Sequence, residues 1–481
     1  MKKNNFYLTT TLPYVNADPH IGFALEMVQA DIVARYRSLT GDEVFFNTGT
    51  DEHGLKIHRK ALETNVTPQQ YVDEYAAKFK ELTKKLDLYP GLHFIRTTDP
   101  HHKAAAQEFW KRCFANGDIY KKDYAISYCV GCELEKTASE LVDGKCPLHP
   151  NLEIEHIHEE NYFFRWSKYQ QPLLEFYAAH PDFVLPDFRF NEIRKFVENG
   201  LEDFSISRLK EKMPWGIEVP GDPAHVMYVW FDALINYIST LGWPEDAAQV
   251  EKFWGTAGRP NGLQFAGKDQ IRQQAAMWQA MLMSAGLPNT KQILIHGFIT
   301  SGGQKMSKSL GNVVNPTAII DEYGVDALRY FLARHIHPFE DSDFTMEKFK
   351  AAYNADLANG LGNLAARIMQ LAATHLSEPV KVEWKPFPKE FADAMEKFEI
   401  NKAAEYVWSR IQALDQRITA EAPFKVIKED TEKGRAIITE LVHELAAIDL
   451  MLEPILPQTS QKIIDAIMAN KKPENLFPRK D

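Results

Sequence analysis

The chain has 481 residues, 45% of them apolar, so it is too long for one hydrophobic core and predicts two to four domains. Its formal charge of −11 argues against a protein covered in basic surface, although local basic patches for RNA are compatible with that total. Residues 1–5 do not lead into a signal-peptide core, and no apolar run reaches the length of a membrane span. We therefore expect a soluble cytoplasmic protein.

The N-terminal region has the pattern strand, loop, helix. Residues 6–11 are rich in β-formers, residues 12–19 are rich in turn formers, and apolar residues recur at helical spacing over residues 21–37. This order is typical of the first unit of a doubly wound α/β sheet, where ligands bind beside helix N-termini. His20 and Gly22 lie at the junction and are candidates for phosphate contact, but a structural histidine and a packing glycine fit the pattern as well.

A second strand is predicted at residues 43–47, and it leads into the polar segment 48–54. Asp51 falls where this strand ends, so its carboxylate is placed to bind the ammonium group of a ligand. The alternative is that Asp51 caps the next helix. Residues 68–87 and 101–116 have the spacing of amphipathic surface helices.

Three cysteines and one histidine, Cys129, Cys132, Cys146 and His149, form two short knuckles. This spacing matches a closed tetrahedral zinc site, and two buried thiol pairs are the alternative. Because four protein ligands leave no open position, we expect a structural zinc that stabilises a small insert. Cys113 lies outside the pattern and is expected to be a buried, small apolar residue.

The segment after the insert is dense in large apolar side chains. Trp230, Ala233 and Tyr237 are spaced to share one face of a helix, where they either pack in the core or wall an apolar ligand pocket. Residues 264–269 and 293–296 predict further strands. The zinc insert therefore interrupts one sheet domain.

Two lysines, Lys305 and Lys308, flank small residues in the segment 305–309. Ammonium groups on such a loop can stabilise charge that develops as a phosphorus–oxygen bond breaks. Alone, a five-residue basic string is more often a solvated surface loop. The second phosphate-suited stretch, at residues 20–23, favours one nucleotide held from both sides.

From about residue 345 the pattern is helical, and strand signals are absent. An apolar stripe predicts a helical bundle, and its members are Ile437, Leu441, Leu445, Ile448 and Leu452. Asn363 and Arg367 lie four residues apart and share one helix face. They either read RNA bases or lie on the surface without a partner.

Together these segments resemble the methionyl-tRNA synthetase family of class I aminoacyl-tRNA synthetases over essentially the whole chain. The zinc insert and the segment around Trp230 are the features that point to methionine within that class. The resemblance is carried by His20-Ile21-Gly22-Phe23, Asp51-Glu52-His53-Gly54, the zinc knuckles, Tyr228-Val229-Trp230-Phe231-Asp232-Ala233, Gly267-Lys268-Asp269, Lys305-Met306-Ser307-Lys308-Ser309 and Asn363-Leu364-Ala365-Ala366-Arg367.

The residue pattern and the resemblance agree on an α/β fold. It comprises a doubly wound parallel-sheet (Rossmann-like) catalytic domain, a zinc-bearing insert and a C-terminal all-α helical bundle. The expected boundaries are 1–116 and 211–300 for the two halves of the catalytic domain, 117–210 for the insert, 301–345 for the lysine-loop and stem-contact region, and 346–481 for the anticodon-binding domain.

The resemblance implies a two-step reaction. Methionine and ATP, with Mg²⁺, form methionyl-adenylate and pyrophosphate, and methionine then passes to the 3′ end of tRNA(Met). The protein supplies orientation and charge stabilisation rather than a covalent nucleophile. One structural Zn²⁺ per chain is implied as well. A monomer is expected because no further dimer-forming domain follows the helical region.

The resemblance also implies roles for residues by their positions. The catalytic residues would be His20, Lys305 and Lys308. The ATP site would comprise His20, Gly22, Phe23, Glu218, Gly267, Asp269, Lys305, Met306 and Lys308. The methionine site would comprise Leu12, Tyr14, Trp230, Ala233, Leu234, Tyr237 and Gln274, with Asp51 on the ammonium group. The anticodon site would comprise Asn363, Arg367 and Phe424, and the zinc ligands would be Cys129, Cys132, Cys146 and His149.

Three positions depart from the family pattern. Phe23 replaces the usual second histidine of the tetrapeptide and brings no hydrogen-bond donor to phosphate. Gln274 replaces a pocket histidine but can still hydrogen-bond, and Phe424 replaces a stacking tryptophan with a smaller ring. The alternatives are a ligase for another apolar amino acid, which would usually carry a large editing domain, and a non-catalytic relative that binds RNA.

Overall fold

A computed structural model describes residues 4–136, 140–306, 311–383 and 385–480, without the side chains of residues 124–126, 134, 135, 157, 158 and 305. The chain divides into two compact units. Unit 1 comprises Met1–Pro19, Asp42–Leu82 and Pro90–His296, and unit 2 comprises His20–Gly41, Thr83–Tyr89 and Gly297–Asp481. No helix in the described ranges is long and apolar enough to cross a membrane.

The strands are numbered along the chain. They are β1 (Asn5–Thr9), β2 (Glu43–Thr50), β3 (Leu92–Arg96), β4 (Ile119–Cys129), β5 (Leu134–Lys136), β6 (Glu155–Phe164), β7 (Val184–Leu185), β8 (Phe204–Ser205), β9 (Ser207–Leu209), β10 (Glu218–Val219), β11 (Asp222–Met227), β12 (Gly255–Thr256), β13 (Arg259–Pro260), β14 (Gly262–Gly267), β15 (Gln292–His296), β16 (Ile299–Ser301), β17 (Gln304–Lys305) and β18 (Ser342–Phe344).

The α-helices are numbered in the same way. They are α1 (Ile21–Leu39), α2 (Leu55–Glu63), α3 (Pro68–Lys85), α4 (Pro100–Ala115), α5 (Gln170–Ala179), α6 (Asp187–Glu198), α7 (Val229–Ala233), α8 (Asn236–Ser239), α9 (Ala247–Phe253), α10 (Trp278–Ser284), α11 (Pro316–Tyr323), α12 (Val325–Arg334), α13 (Met346–Ala352), α14 (Asn363–His375), α15 (Lys389–Glu396), α16 (Ile400–Glu421), α17 (Pro423–Glu429), α18 (Thr431–Leu452) and α19 (Pro457–Met468). The segments Gln273–Met277 and Tyr353–Gly362 are π-helical.

Unit 1 is built on a six-stranded sheet in which every neighbouring pair is parallel, in the order β3-β2-β1-β14-β15-β7. β1 lies beside β14, with Tyr7 opposite Gly262, although the whole insert separates them in sequence. The central strands β1, β14 and β15 are almost completely buried, as their apolar sequences require in a parallel sheet. The prediction of an interrupted parallel-sheet domain is confirmed.

The insert is a four-stranded sheet in the order β5-β4-β6-β8. Its main ribbon is the antiparallel pair β4 and β6, which runs from Ile119 opposite Phe164 to Tyr128 opposite Glu155. β5 pairs with the far end of β4, where Cys129 lies opposite Leu134. The predicted knuckle residues therefore lie at the tip of a long ribbon.

The aromatic run after residue 226 forms part of the core of unit 1. Phe231 contacts the edge of Trp110 at a ring-centroid distance of 5.2 Å, and Tyr237 contacts Trp278 at 5.8 Å. The three residues spaced for one helix face, Trp230, Ala233 and Tyr237, lie on two short helices, because α7 ends at Ala233 and α8 begins at Asn236. The Asn236 side chain donates to the Ala233 carbonyl at 2.7 Å, which offers that carbonyl an alternative to a helical bond.

Unit 2 is mostly helical, with a small sheet in the order β17-β16-β18. No strand is assigned beyond Phe344 within residues 345–383 and 385–480. The predicted stripe on α18 is buried at Leu441, Leu445, Ile448 and Leu452, so the helical character of this region is confirmed.

A buried arginine joins α1 to the helices of unit 2. The Arg329 side chain is fully buried and donates to Asp31 Oδ2 at 2.7 Å. It also donates to the carbonyls of Leu86, Pro454 and Ile455 at 3.1, 3.0 and 2.9 Å. Since a guanidinium has five N–H groups in a fixed fork, these acceptors satisfy most of its donors.

Replacement of Arg329 by methionine is expected to lower the free energy of unfolding by about 3–5 kcal/mol, because it leaves the Asp31 carboxylate buried without this partner. Urea denaturation monitored by circular dichroism measures the change. The matched control is Arg410→Met on the exposed side of α16, which should stay within about 0.5 kcal/mol of the parent. A loss below about 1 kcal/mol for Arg329→Met would show that Arg35, 2.8 Å from Asp31, is a sufficient partner.

Candidate functional site

The carboxyl ends of parallel strands bring polar residues of unit 1 to one edge of the sheet. Asp51 directly follows β2, Gly267 ends β14, and His296 ends β15 in register with Gly267. A Cβ atom on Gly267 would lie 2.8 Å from Asp269 Oδ1 and 3.6 Å from His296 Cε1. The structure therefore places Asp269 beside His296 at this edge, in a space that only a glycine leaves open.

Two buried carboxylates interact at the end of β2. Asp51 is 7% exposed and Asp232 is fully buried. Burial, and then the charge of Asp232, raise the pKa of Asp51 well above its usual range, and burial raises the pKa of Asp232. Among the described residues, Asp51 Oδ1 and both Asp232 oxygens accept no hydrogen bond, although His53 Nδ1 lies 3.2 Å from Asp232 Oδ2. An acidic pair of this kind is costly without a cation.

Tyr14 is held beside this pair by backbone bonds. It forms an isolated parallel bridge with Asp51. The Asp51 N–H donates to the Pro13 carbonyl at 2.9 Å, and the Val15 N–H donates to the Asp51 carbonyl at 3.2 Å. Leu12, also half-buried, precedes this bridge in the same loop. The predicted residues of the loop after β1 therefore adjoin Asp51.

Trp230 and Tyr14 share a neighbourhood. Both are half-buried, and both pack against a small cluster formed by Tyr128, Tyr228 and Val229. Trp230 Nε1 is shielded from solvent and donates no hydrogen bond within the described part of the chain. The two rings are thus more accessible than Ala233, Leu234, Tyr237 and Gln274, the other side-chain candidates for the methionine site apart from Leu12 and Asp51.

Those other residues lie deeper. Ala233, Leu234 and Tyr237 are at most 6% exposed, and Leu234 and Tyr237 belong to the main core of unit 1. Gln274 is 1% exposed, and its Oε1 accepts from Gln264 Nε2 at 3.2 Å. Gln264 Oε1 in turn accepts from the Thr290 hydroxyl, so an amide network fixes Gln274.

Glu218 lies away from the parallel strands, on the three-stranded sheet β10-β11-β9. Its side chain is half exposed, and its carboxylate is ion-paired with the Lys210 ammonium group. The structure does not place it at the carboxyl edge of the main sheet.

His20 caps α1 in unit 2. Its Nδ1 accepts from the Gly22 N–H at 3.0 Å, and a Cβ atom on residue 22 would lie 2.8 Å from His20 Cε1. The absence of a side chain at Gly22 therefore serves this cap. Burial lowers the pKa of His20 to about 4, so the ring is neutral at pH 7 and its proton is on Nε2. The Phe23 ring stacks on His20 at a centroid distance of 4.3 Å.

The lysine segment follows a tight hairpin. β16 pairs antiparallel with β17, and the two residues between them, Gly302 and Gly303, have φ values of 61° and 75°. Positive φ at both positions is the signature of a two-residue hairpin turn and favours glycine. Met306 is half-buried. Lys308 and the side chain of Lys305 lie outside the described residues.

The predicted metal ligands converge. The ligand atoms of Cys129, Cys132, Cys146 and His149 all lie within 4.8 Å of one another. Cys132 Sγ is 3.5 Å from Cys146 Sγ and 3.2 Å from His149 Nδ1. Tetrahedral zinc with bonds of about 2.0–2.3 Å separates its ligand atoms by about 3.3–3.8 Å. This three-thiolate, one-imidazole set therefore fits zinc. The Cys113 thiol is fully buried elsewhere, and burial raises its pKa to about 12.

Asn363, Arg367 and Phe424 line one depression in unit 2, of about 340 Å³. Phe424 is 45% exposed, and Arg367 is ion-paired with Asp415 at 2.5 Å. Lys472 also lines the depression. The structure thus brings Phe424 beside Asn363 and Arg367, which lie about sixty positions earlier in the sequence, and presents the three residues to solvent.

Several residues of these sites were not found from the sequence. Asp232 and His53 were quoted in motifs without a role, and His296 only as the end of a predicted strand. Glu133, whose Oε1 accepts from the Tyr14 hydroxyl at 3.0 Å, was not singled out at all. Each is a polar residue that lies beside a strand end or a metal-ligand candidate. That position can be recognised only once the three-dimensional structure is known.

Comparison with known proteins agrees with this geometry. The family model of class I tRNA synthetases (M) matches residues 6–156 and 137–369. The chain is 42% identical to the methionine–tRNA ligase of Thermosynechococcus vestitus, over 95% of this chain and 89% of that protein. It is 41% identical to that of Nostoc sp., over 96% and 89%. It also resembles the crystal structure of Mycobacterium tuberculosis methionyl-tRNA synthetase with methionyl-adenylate, with a TM-score of 0.88, 34% identity and 99% coverage of both chains.

The parallel sheet with polar residues at its carboxyl edge, interrupted by a Cys₃His insert, defines a class I aminoacyl-tRNA synthetase. Such enzymes attach an amino acid to tRNA in an ATP-dependent reaction. The matches in sequence and structure show that the chain belongs to the methionyl-tRNA synthetase family, and its enzymatic class is methionine–tRNA ligase.

Gly131→Ala is expected to weaken metal retention, because a Cβ atom there would lie 2.4 Å from His149 Cγ and displace the imidazole ligand. The measurement is the zinc-to-protein ratio after dialysis against a chelator, followed over time. Gly258→Ala is the matched control, since a Cβ atom at Gly258 meets no atom within 4 Å. Equal rates of zinc loss from the two variants would contradict the ligand role of His149.

Proposed function

We propose that this chain activates L-methionine with ATP, releases pyrophosphate and transfers methionine from the adenylate to the 3′ end of tRNA(Met). The amino-acid carboxylate attacks the α-phosphorus and displaces pyrophosphate, and the ribose hydroxyl of the tRNA then attacks the carbonyl of the adenylate and displaces AMP. Neither step needs a covalent nucleophile from the protein. The residues act by holding the substrates and by balancing charge.

The observation that carries the amino-acid site is the buried pair Asp51 and Asp232. Three of their oxygens lack a hydrogen bond among the described residues, and burial disfavours their negative charge. A bound ammonium group would supply both hydrogen-bond donors and a positive charge. Its binding would therefore offset the cost of burying the two carboxylates. We assign Asp51 to the ammonium group and Asp232 to a supporting position.

We assign the methionine side chain to the space beside Tyr14 and Trp230. Both rings are only half-buried, and aromatic rings make favourable contacts with a thioether sulfur. Leu12, Ala233, Leu234, Tyr237 and Gln274 would form the surrounding walls. Since the last four are buried in the core, their role would be to fix the shape of the site.

We assign the phosphates of ATP, with Mg²⁺, to His20, Gly22, Lys305 and Lys308. His20 is neutral with its proton on Nε2, so it would act as a hydrogen-bond donor to phosphate rather than as a cation. The helix N-terminus that it caps also favours an anion. Phe23 stacks on His20 and would hold its ring, and Met306 would follow Lys305 in the same segment.

We assign the adenosine part of ATP to Gly267 and Asp269. Gly267 leaves the sheet edge open, and the exposed Asp269 carboxylate could accept hydrogen bonds from ribose hydroxyl groups. Glu218 is assigned to the same part of ATP, where it would have to exchange its ion pair with Lys210 for a contact with the ligand.

The Cys₃His cluster is assigned to one structural Zn²⁺. Cys129, Cys132, Cys146 and His149 would occupy all four positions, which leaves none for substrate. The metal would supply a cross-link at the tip of the β4–β6 ribbon, where two short turns have little core of their own.

The depression around Phe424 is assigned to anticodon bases of tRNA(Met). Its exposed ring offers a surface for base stacking, and Asn363 and Arg367 supply hydrogen-bond donors beside it.

Asp51→Asn is expected to raise the KM for methionine about 10- to 100-fold, because the ammonium group loses a charge-assisted hydrogen bond. Methionine-dependent exchange of labelled pyrophosphate into ATP measures this, and in the parent it should exceed exchange with leucine. The control is Asp18→Asn, which removes an exposed carboxylate paired with Lys78. Exchange without dependence on methionine in the parent would end the proposal.

Phe424→Ala is expected to weaken tRNA(Met) binding by about 1–3 kcal/mol, the loss of one stacked base. Phe424→Trp, with its larger ring, should bind at least as well as the parent. Filter binding of labelled tRNA gives both values. Met468→Ala, which removes another exposed apolar side chain of unit 2, is the control. If Phe424→Ala and Met468→Ala bind equally well, the anticodon assignment is wrong.

A further inference from the structure

Glu133 lies between two sites that the sequence treats separately. It directly follows the metal-ligand candidate Cys132, and its side chain is buried, at 4% exposure. Its φ of 52° is in the left-handed region, which is uncommon for a residue with a side chain. A glutamate in this conformation and environment must be held by its contacts.

Three hydrogen-bond donors of unit 1 hold the Glu133 carboxylate. Oε1 accepts from the Tyr14 hydroxyl at 3.0 Å and from the Lys56 N–H at 2.7 Å. Oε2 accepts from the Tyr128 hydroxyl. Lys56 lies in the first turn of α2, where Gly54 provides no side-chain cap, so the carboxylate also satisfies a free N–H at a helix N-terminus.

The backbone of the metal turn is held from the same side. The Glu133 carbonyl accepts from the Tyr228 hydroxyl, and the Lys56 ammonium group donates to the Gly131 carbonyl at 3.3 Å. A Cβ atom on Gly54 would lie 2.7 Å from the Tyr14 hydroxyl and 3.4 Å from Glu133 Oε1. Only glycine at position 54 permits this approach of Tyr14 to the turn.

We propose that Glu133 is a positioning residue through which the metal-bound turn fixes Tyr14 in the methionine site. This inference rests on the proposed function, in which Tyr14 lines that site. A phenol has one O–H group, and that of Tyr14 donates to Glu133. Because the Tyr14 ring is only half-buried, this hydrogen bond sets the direction in which the ring points. Cys129 and Cys132 bracket the turn, so metal binding fixes where that carboxylate lies.

The first test is the methionine Kd of the full chain, measured by calorimetry without ATP. Glu133→Ala should weaken binding about tenfold, because the Tyr14 hydroxyl loses its acceptor. Glu133→Gln keeps one acceptor oxygen and should fall between Glu133→Ala and the parent. In pyrophosphate exchange, the KM for methionine should rise with little change in kcat. Glu155→Ala, which breaks the ion pair with Arg59 in the same insert, is the control.

The second test separates positioning from a merely structural role. In a Tyr14→Phe background, Glu133→Gln should cause no further loss of methionine affinity, because the hydrogen bond that couples the two residues is already absent. Removal of zinc from the parent by a chelator should weaken methionine binding to the same extent as Glu133→Ala. Metal content is measured in each sample to confirm its state.

Two results would overturn the inference. One is a methionine Kd within twofold of the parent for Glu133→Ala and for the zinc-free parent. The other is additive losses for Glu133→Gln and Tyr14→Phe. If Glu133→Ala does not fold, the Glu133→Gln and Tyr14→Phe pair decides alone. Trp230→Ala and Tyr14→Ala separate failure of this inference from failure of the proposed function. If both variants bind methionine as the parent does, the proposed methionine site itself is wrong.

Discussion

The parallel arrangement of the unit 1 sheet is the constraint on which the site depends. Because all its strands end at one edge, residues as distant in sequence as Asp51, Gly267 and His296 lie along the same edge, with Gly267 and His296 on neighbouring strands. The same edge receives Tyr14 through backbone bonds to Asp51. The cost of this convergence is the burial of carboxylates without donors, which a protein can tolerate when a cationic substrate supplies the missing charge. The buried carboxylates Asp51 and Asp232 are the basis for proposing that the ligand carries an ammonium group.

The tip of the insert and the core of unit 1 are stabilised by different kinds of interaction. The main core of unit 1 is held by interlocking aromatic rings such as Trp110, Phe231 and Trp278, which exclude water without directional bonds. The tip of the β4–β6 ribbon relies on convergent thiolates and on the polar contacts of Glu133. Directional contacts specify angles that apolar packing leaves loose, and they suit a segment that adjoins a binding site.

The sequence predicted the elements with strong periodicity and spacing. The buried strands β1, β14 and β15, the stripe on α18 and the four metal ligands were all found, because each is encoded locally. Residues that act across elements were not found. Asp232 was quoted within a motif but given no role, and the Asn236 side chain, which donates to the Ala233 carbonyl between α7 and α8, was not singled out. Gly22 was expected either to contact phosphate or to serve packing, and only the structure shows that it makes room for the His20 ring. The roles of these residues depend on side chains and carbonyls that contact them in the folded structure, and no local sequence pattern predicts those contacts.

The π-helical segment Tyr353–Gly362 immediately precedes Asn363 at the start of α14. A π turn holds more residues than an α turn, and such turns are common at functional sites. The facing direction of Asn363 and Arg367 is therefore set by the residue count of the wide turns before them. Loss of a single residue there would change the direction in which the pair faces. Chains of different length at this point would present different side chains to the depression around Phe424, even with the pair itself intact.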